Sequence, residues 1–349
     1  MTRSKIIYLC VALAVFAGAC SGSASEGEDD PAPQAEPSPT PDPTCPLTGE
    51  APAEGVDLRR PAVALKIENS PAARPQAGVE DADVVFEEIV EGGITRFLAI
   101  YHCGGSKLAG PVRSARFDDP KIAKPFSRLI AFSGANGIVK GELQARGMVL
   151  VEELTSPPGL FRVPAGVIEV HNLFAHTEKL RKTAIEQKLP APKDGVFVFE
   201  EELSAKSKKA RSVSVNFNAS NTIEYRWEGD VWKRYEAGAP FMTVEGDHLS
   251  VPNLLIQEVE VNNSFKITDV AGNPSPDISL LAKGRAVLFR DGRAVKGTWQ
   301  IRKEGAPPVY HTKSGDPMPF APGQIFVELV PSQAGSVKGS FSFSKKPVR

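Results

Sequence analysis

Arg96, Arg113 and Arg116 are the residues whose type and spacing best suit chemistry, and the chemistry is recognition of an anion. A guanidinium presents a planar fork of donors that matches a carboxylate or phosphate. Arg113-Ser114-Ala115-Arg116 sets two arginines around a hydroxyl, just ahead of a helix predicted over Asp119–Lys124, whose N-terminus favours negative charge. Arg96 lies in the run Ile94–His102 (ITRFLAIYH), which follows Asp83–Glu91 (DVVFEEIVE) across Gly92-Gly93. As a two-residue hairpin loop, Gly92-Gly93 sets Glu91 opposite Ile94 and Ile89 opposite Arg96. Glu87 and Glu91 then flank Arg96 diagonally on one face, and Glu88 falls in the row of Phe86, Val90, Thr95 and Phe97 on the other. Such a Glu–Arg–Glu cluster reads in two ways: a structural ion-pair network, or a pocket wall in which the two carboxylates orient Arg96 toward an anionic group.

Other candidates are weaker. His171 suits a general acid or base beside such a pocket, and equally a structural histidine. Asp83 and Glu88 are the further acid–base candidates if the site is catalytic. His171, His176 and Glu169 have a spacing that matches neither one helix face nor a known site, so no metal and no cofactor are expected. There is no H-E-x-x-H, no paired C-x-x-C, no P-loop and no G-x-S-x-G. Trp227, Trp232 and Trp299 fit a core, or alternatively a stacking surface for a sugar.

The elements that must position these residues follow from short apolar runs between turn residues. Strands are expected at Pro61–Ile67, Asp83–Glu91, Ile94–His102, Arg128–Ser133 and Met148–Glu152, with helices at Ile138–Arg146 and Ala175–Lys188. After the basic stretch Ser204–Arg211 the pattern is almost entirely strand-like, and Asp291-Gly292 between Phe289 and Val295 signals a tight hairpin. The expected fold class is α+β. A mixed α/β N-terminal domain with a central sheet (45–203) precedes a linker (204–211) and a smaller β-rich domain (212–349).

The N-terminal residues read as an address. Arg3 and Lys5 precede the apolar run Ile6–Phe16, which is too short to span a hydrocarbon core of roughly 30 Å. Ala17-Gly18-Ala19-Cys20 closes it, a signal-peptide end resembling a bacterial lipobox, with Ala17 where Leu is usual. Residues 1–20 are therefore expected to be a lipoprotein signal, with Cys20 the lipidated anchor. Residues 21–44 hold six acids, six prolines and no Lys or Arg, the composition of a disordered, semi-extended tether. Of the remaining cysteines, Cys45 and Cys103 form an even pair suited to a disulfide in an oxidising compartment; two free thiols are the alternative.

Several of these stretches also carry a resemblance. Pro46-Leu47-Thr48-Gly49, Arg59-Arg60-Pro61, Ile67-Glu68-Asn69 and Ala73-Arg74-Pro75-Gln76-Ala77-Gly78 stand in order. Ala82–Glu87, Val90–Phe97, Gly110–Arg116, His171-Asn172-Leu173 and Gly297-Thr298-Trp299 continue the set. Together they resemble the YerB-like family of bacterial lipoproteins over nearly the whole chain from Pro46. The resemblance implies a two-domain extracytoplasmic lipoprotein and carries no settled activity. The chain departs from the family at Phe132–Asn136, where a His-containing, Gly-rich segment is usual.

Charge narrows the function. The 41 Lys and Arg nearly balance 42 Asp and Glu, and a net charge of −1 disfavours a nucleic-acid binder that neutralises phosphates. The expectation is a lipid-anchored protein on the extracytoplasmic face of a bacterial cytoplasmic membrane. It would bind an anionic ligand or wall polymer through Arg96, Arg113, Arg116, Glu87, Glu91, His171 and Asn172. An enzyme acting on a wall polymer or lipid-linked diphosphate precursor is the alternative, and a scaffold for wall-synthesis enzymes is a third. The address is directly testable: Cys20→Ala should move the protein from the membrane pellet to the soluble fraction of producing cells, and retention in the pellet would contradict acyl anchoring.

Overall fold

The computed structural model describes residues 42–155, 157–163 and 171–347; Cys20, the 21–41 stretch and Glu169 lie outside them. Residues Asp42–Arg349 form one compact unit. Its backbone is a 12-stranded sheet that draws strands from both halves of the chain. Toward one end β1 (Val63–Glu68) lies between β3 (Thr95–Tyr101) and β4 (Leu129–Phe132), with β5 (Val149–Glu152) at the edge. On the other side of β3 comes β2 (Val84–Ile89), and beside β2 the strand Ile325–Pro331, followed by Asn253–Thr268, Lys283–Arg290, Arg293–Gln300 and Val309–Thr312. The fold is mixed α and β, as expected.

Strand direction decides where a site can form. β4 runs parallel to β1 and β5 to β4, while β3 is antiparallel to both β1 and β2. Ile325–Pro331 is parallel to β2 and to Asn253–Thr268. Two successive antiparallel pairings bring Arg293–Gln300 into the same direction, so seven strands end at one carboxyl edge of the sheet, the edge at which ligands bind in open α/β sheets. Both faces are covered, so β1, β2 and β3 are buried along their whole length.

A second, six-stranded sheet, which includes Ser212–Asn218, Asn221–Glu228, Val231–Glu236 and Ser340–Ser344, packs on one face. Phe97, Phe326 and Phe289 of the large sheet meet Phe241, Tyr225, Trp232 and Phe343 there. Arg234 crosses the interface, donating to Glu87 Oε2 at 2.6 Å and Glu328 Oε1 at 3.1 Å, and all three side chains are fully buried. Across the other face lies the short helix α1 (Asp119–Ala123), where Phe126 packs on Phe86 and Lys66 is ion-paired with Asp119 at 2.6 Å and with Glu88. Helix α2 (Gly137–Ala145) follows β4, capped by the Asn136 side chain on the Ile138 amide at 2.8 Å. Helix α3 (Thr177–Glu186) follows the short strand β7 (Leu173–Ala175), which pairs with β6 (Leu160–Arg162).

The tryptophans belong to this packing and form no stacking surface. Trp232 and Trp299 are buried, Trp227 packs on Trp232 at 5.3 Å, and Trp299 Nε1 donates to the Glu258 carbonyl at 2.8 Å. At the opposite edge from the carboxyl ends, Cys45 and Cys103 form a disulfide that pins the start of the compact unit to the end of β3. Asp83 sits beside it, its carboxylate accepting from the amides of His102, Cys103 and Gly104, and burial pushes its pKa up. With the two cysteines 58 positions apart in the sequence, the closed loop is worth about 4 kcal/mol in chain entropy. Cys103→Ser should lower the unfolding free energy by a few kcal/mol in non-reducing urea titrations, and the gap should vanish when the parent is reduced; equal midpoints without reductant would contradict this.

Candidate functional site

The carboxyl edge is organised by a turn that differs from the expected one. Glu91-Gly92-Gly93 is a three-residue loop closed by the Val90 amide on the Ile94 carbonyl at 2.8 Å, with Gly92 and Gly93 both at positive φ near 75°. The third loop residue shifts the pairing so that Arg96 lies opposite Glu88 and Phe97 opposite Glu87. A one-residue slip exchanges the faces of a strand. The Glu87–Arg96–Glu91 cluster inferred from a two-residue loop is therefore not formed. Glu87 points to the other sheet and Arg234, while Glu88 shares the Arg96 face.

Arg96 finds its carboxylate one strand further over. Glu68, at the end of β1, is directly opposite Arg96 in register and lies 3.7 Å from its Nη2. Arg96 Nη1 also donates to the Ser114 carbonyl at 2.9 Å. Glu68 is 1% exposed; its Oε1 accepts the amides of Asn69 and Ser70 at 3.2 Å, and its Oε2 faces Arg113 Nε at 2.7 Å. Arg113 is brought there because the 112–115 segment runs over the ends of β1 and β4. The Arg113 amide donates to the Lys66 carbonyl, and its own carbonyl accepts from Ser133.

Arg116 completes the group. Its Nε is ion-paired with Glu91, whose other oxygen accepts from Ser275 Oγ at 2.8 Å. Its backbone amide donates to Asp119 Oδ2 at 2.6 Å. Burial, reinforced by the charges of Arg116 and Arg113 and opposed by Glu68 and Glu91, holds the Arg96 pKa down at about 10. Among the described residues, three guanidinium groups thus face two carboxylates. Arg113 and Arg116 keep 31% and 18% of their side-chain surface open to solvent.

His171 is buried next to Arg113, and burial followed by that positive charge lowers its pKa, so a neutral ring is favoured. Asn172 follows, its side-chain oxygen accepting from Arg162 Nη1, just before β7 packs against the Val112 amide through the Leu173 carbonyl. Of the candidate set, the structure therefore gathers Arg96, Arg113, Arg116, Glu91 and His171 at one edge, with Asn172 adjoining. Asp83 is at the far edge and Glu87 on the far face. Glu68 was missed as the organising acid. Its clue was Ile67-Glu68-Asn69, a carboxylate ending a wholly apolar strand. Among the described residues no group of His, Cys, Asp and Glu has a metal-holding arrangement, and no helix is long and apolar enough to cross a membrane.

Beneath the arginines lies Glu88, 1% exposed and bonded to Lys66. Burial, together with the charges of Asp119 and Asp118, raises its pKa from the ordinary 4.5 to about 8, the Lys66 charge opposing. Lys66 brings one ammonium to both Glu88 and Asp119, and Asp119 also accepts the Arg116 backbone amide. Between pH 4.5 and 8 the folded state then binds the proton that the unfolded chain has lost, so the contribution of Glu88 to stability falls as pH rises through this window. Urea titrations at pH 5, 6.5 and 8 should show Glu88→Gln gaining stability relative to the parent as pH rises; a constant difference would contradict a protonated Glu88.

Comparison with known proteins agrees with this architecture. The chain is 29% identical over 293 residues to a protein named "Putative lipoprotein YerB" of Bacillus subtilis (strain 168), covering 82% of this chain and 86% of the relative. The crystal structure of the YerB protein from Bacillus subtilis superimposes with a TM-score of 0.71 at 27% identity, covering 86% of this chain and 99% of that one. Residues 47–190 match the model described as "Protein of unknown function (DUF3048) N-terminal domain" and residues 213–327 the corresponding C-terminal domain. This chain therefore belongs to the two-domain DUF3048, or YerB-like, family of bacterial proteins.

Proposed function

We propose that this protein is held by an acyl chain at Cys20 on the extracytoplasmic face of the cytoplasmic membrane, where it binds an anionic ligand at the carboxyl edge of its large sheet. The ligand class is a phosphate or carboxylate, free or borne by a wall polymer. Arg113 and Arg116 would contact it, with Arg96 adding charge from below, and His171 and Asn172 would form the adjoining wall. The observation that carries the reading is the convergence of the three guanidinium groups, each positioned by a buried or partly buried carboxylate or a backbone carbonyl, with two of them still reaching solvent. Holding like charges together costs free energy, and a bound anion offsets that cost.

Two of the three acid–base candidates are held away from the arginines or spent on structure, which favours binding over turnover, while His171 stands at the wall of the site. Asp83 lies at the opposite edge, spent on three backbone amides, and Glu88 is buried against Lys66. Binding to the native state stabilises it by RT ln(1 + [L]/Kd), about 1.4 kcal/mol at ten times Kd. For a folded body of this size that is a rise in melting temperature of about 2 °C. Phosphate or polyphosphate should produce such a rise in the parent, and Arg113→Ala and Arg116→Ala should abolish it while remaining folded. An unchanged melting temperature in the parent, or an equal rise in both variants, would refute the assignment.

A further inference from the structure

The stretch Ser204–Arg211 has no part in the site described above. In the fold it forms a basic strip along the rim of the large sheet. Lys208-Lys209 is a two-residue strand, exposed at both residues and antiparallel to Arg293–Gln300, with Lys209 opposite the exposed Arg293. Lys206 is exposed just before it. The Arg211 amide donates to the Ser344 carbonyl at 2.7 Å, so the exposed Lys345 and Lys346 adjoin the strip from the smaller sheet. Among the described residues none of these seven cations is ion-paired with a carboxylate. Asp291 is taken by the buried Arg290, and Glu200, Glu201 and Glu202 are too few to balance the strip. Lysine on an edge strand deters pairing with another chain. That role asks nothing of Arg211, Lys345 and Lys346, which border the other sheet.

The strip also has a telling position. Arg293 begins a strand that runs in the same direction as β2, so it lies at the edge opposite the Arg113 and Arg116 site. That edge also holds Cys45, where the chain from Cys20 enters the compact unit. Asp42 to Cys45 line one cavity with Phe197 and Phe199. The carbonyls of the next residues, Glu200 and Glu201, accept from Arg290 at 2.7 and 2.8 Å, and Arg290 is paired with Arg293. Residues 21–41 can extend about 70 Å, so a lipid at Cys20 keeps the protein near a bilayer without choosing which edge faces it. An anionic surface does choose, because it attracts the edge that carries unpaired cations. A basic patch is a common second signal beside an acyl chain. A strip spread over the rims of two sheets matches an extended charged surface better than one small anion.

We propose that this strip rests on the anionic phospholipid headgroups of the membrane that anchors Cys20, turning the carboxyl-edge site away from the bilayer. The inference rests on the membrane location proposed above and not on the anion site. The contact is weak and screened by salt, so it orients the protein and does not replace the anchor. The test uses the unacylated chain from Ser21 onward, which keeps the whole compact unit and retains the acids of 21–44 as competitors for the strip. Co-sedimentation would be measured with vesicles of phosphatidylglycerol and phosphatidylcholine in equal parts, and of phosphatidylcholine alone, at about 50 and 500 mM salt. The chain should sediment with the anionic vesicles only, and high salt should release it. Joint Lys206→Glu, Lys208→Glu and Lys209→Glu should weaken binding about tenfold or more, and Lys345→Glu with Lys346→Glu should weaken it in the same direction. All five positions are exposed, and both variants should respond to phosphate as the parent does, which separates failure of the strip from failure of the anion site. Arg113→Ala should bind the vesicles as the parent does. No preference for anionic vesicles, undiminished binding in the folded lysine variants, or loss of binding in Arg113→Ala would overturn the proposal. Binding to polyphosphate through the lysines without binding to vesicles would overturn it too, by assigning the strip to a soluble polyanion.

Discussion

Arg234 is the constraint on which the rest of the molecule depends. Its guanidinium reaches from the smaller sheet into the larger one, between Glu87 and Glu328, which sit side by side on neighbouring parallel strands. The rings of Phe97, Tyr225, Phe241 and Phe326 surround it at 5.0–5.6 Å. Burial and the adjacent Glu87 push the Glu328 carboxyl well above its usual range, so it stays protonated, and Tyr225 donates its hydroxyl to it. Burying charge is expensive, and removing one partner of such a set costs about 3–5 kcal/mol, because the other is left without compensation. What the arrangement contributes is specificity: only one register of the strand Ile325–Pro331 against β2 sets Glu328 beside Glu87.

That register carries through to the carboxyl edge. Glu87 and Glu88 are consecutive, so fixing the first toward Arg234 commits the second to Lys66 and Asp119 on the opposite face. The same alternation places Thr95 with Glu87 and Asn69, and Arg96 with Glu68. One buried ion pair thus sorts the residues of three strands between the arginine edge on one side and the interface with the smaller sheet on the other. Ser275, on the strand Pro274–Ser279 that pairs with Asn253–Thr268, meets Glu91, so the β2–β3 turn is held by a segment that follows it by more than 180 residues.

Local patterns made many elements legible in the sequence. Helices expected at Ile138–Arg146 and Ala175–Lys188 occur at Gly137–Ala145 and Thr177–Glu186, and Asp291-Gly292 does turn a hairpin. The apolar runs of β1 to β5 were evident because strands covered on both faces lose their alternation. The pairing of Cys45 with Cys103 followed from compartment and count, and the structure contains it. What failed depended on one residue or on distance. Gly92-Gly93 reads as a complete turn, yet the loop also takes Glu91, and that single residue exchanged the partners of Arg96. Arg234 drew no notice because Val231–Glu236, with Lys233, Arg234 and Glu236, resembles a solvated strand. The insertion of Ile325–Pro331 beside β2 is a contact across some 240 residues, for which short-range periodicity has no signal.

The central claim, that the guanidinium groups at the carboxyl edge form an anion site while that of Arg234 is structural, can be read directly at the side chains. In protein carrying ¹⁵N-labelled arginine, the Nε–H resonances would be followed as phosphate is added at constant ionic strength. Saturable shifts at Arg113 and Arg116 that share one dissociation constant, with Arg234 unmoved, are the predicted result. Shifts that grow linearly at all arginines, or none at Arg113 and Arg116, would contradict the account.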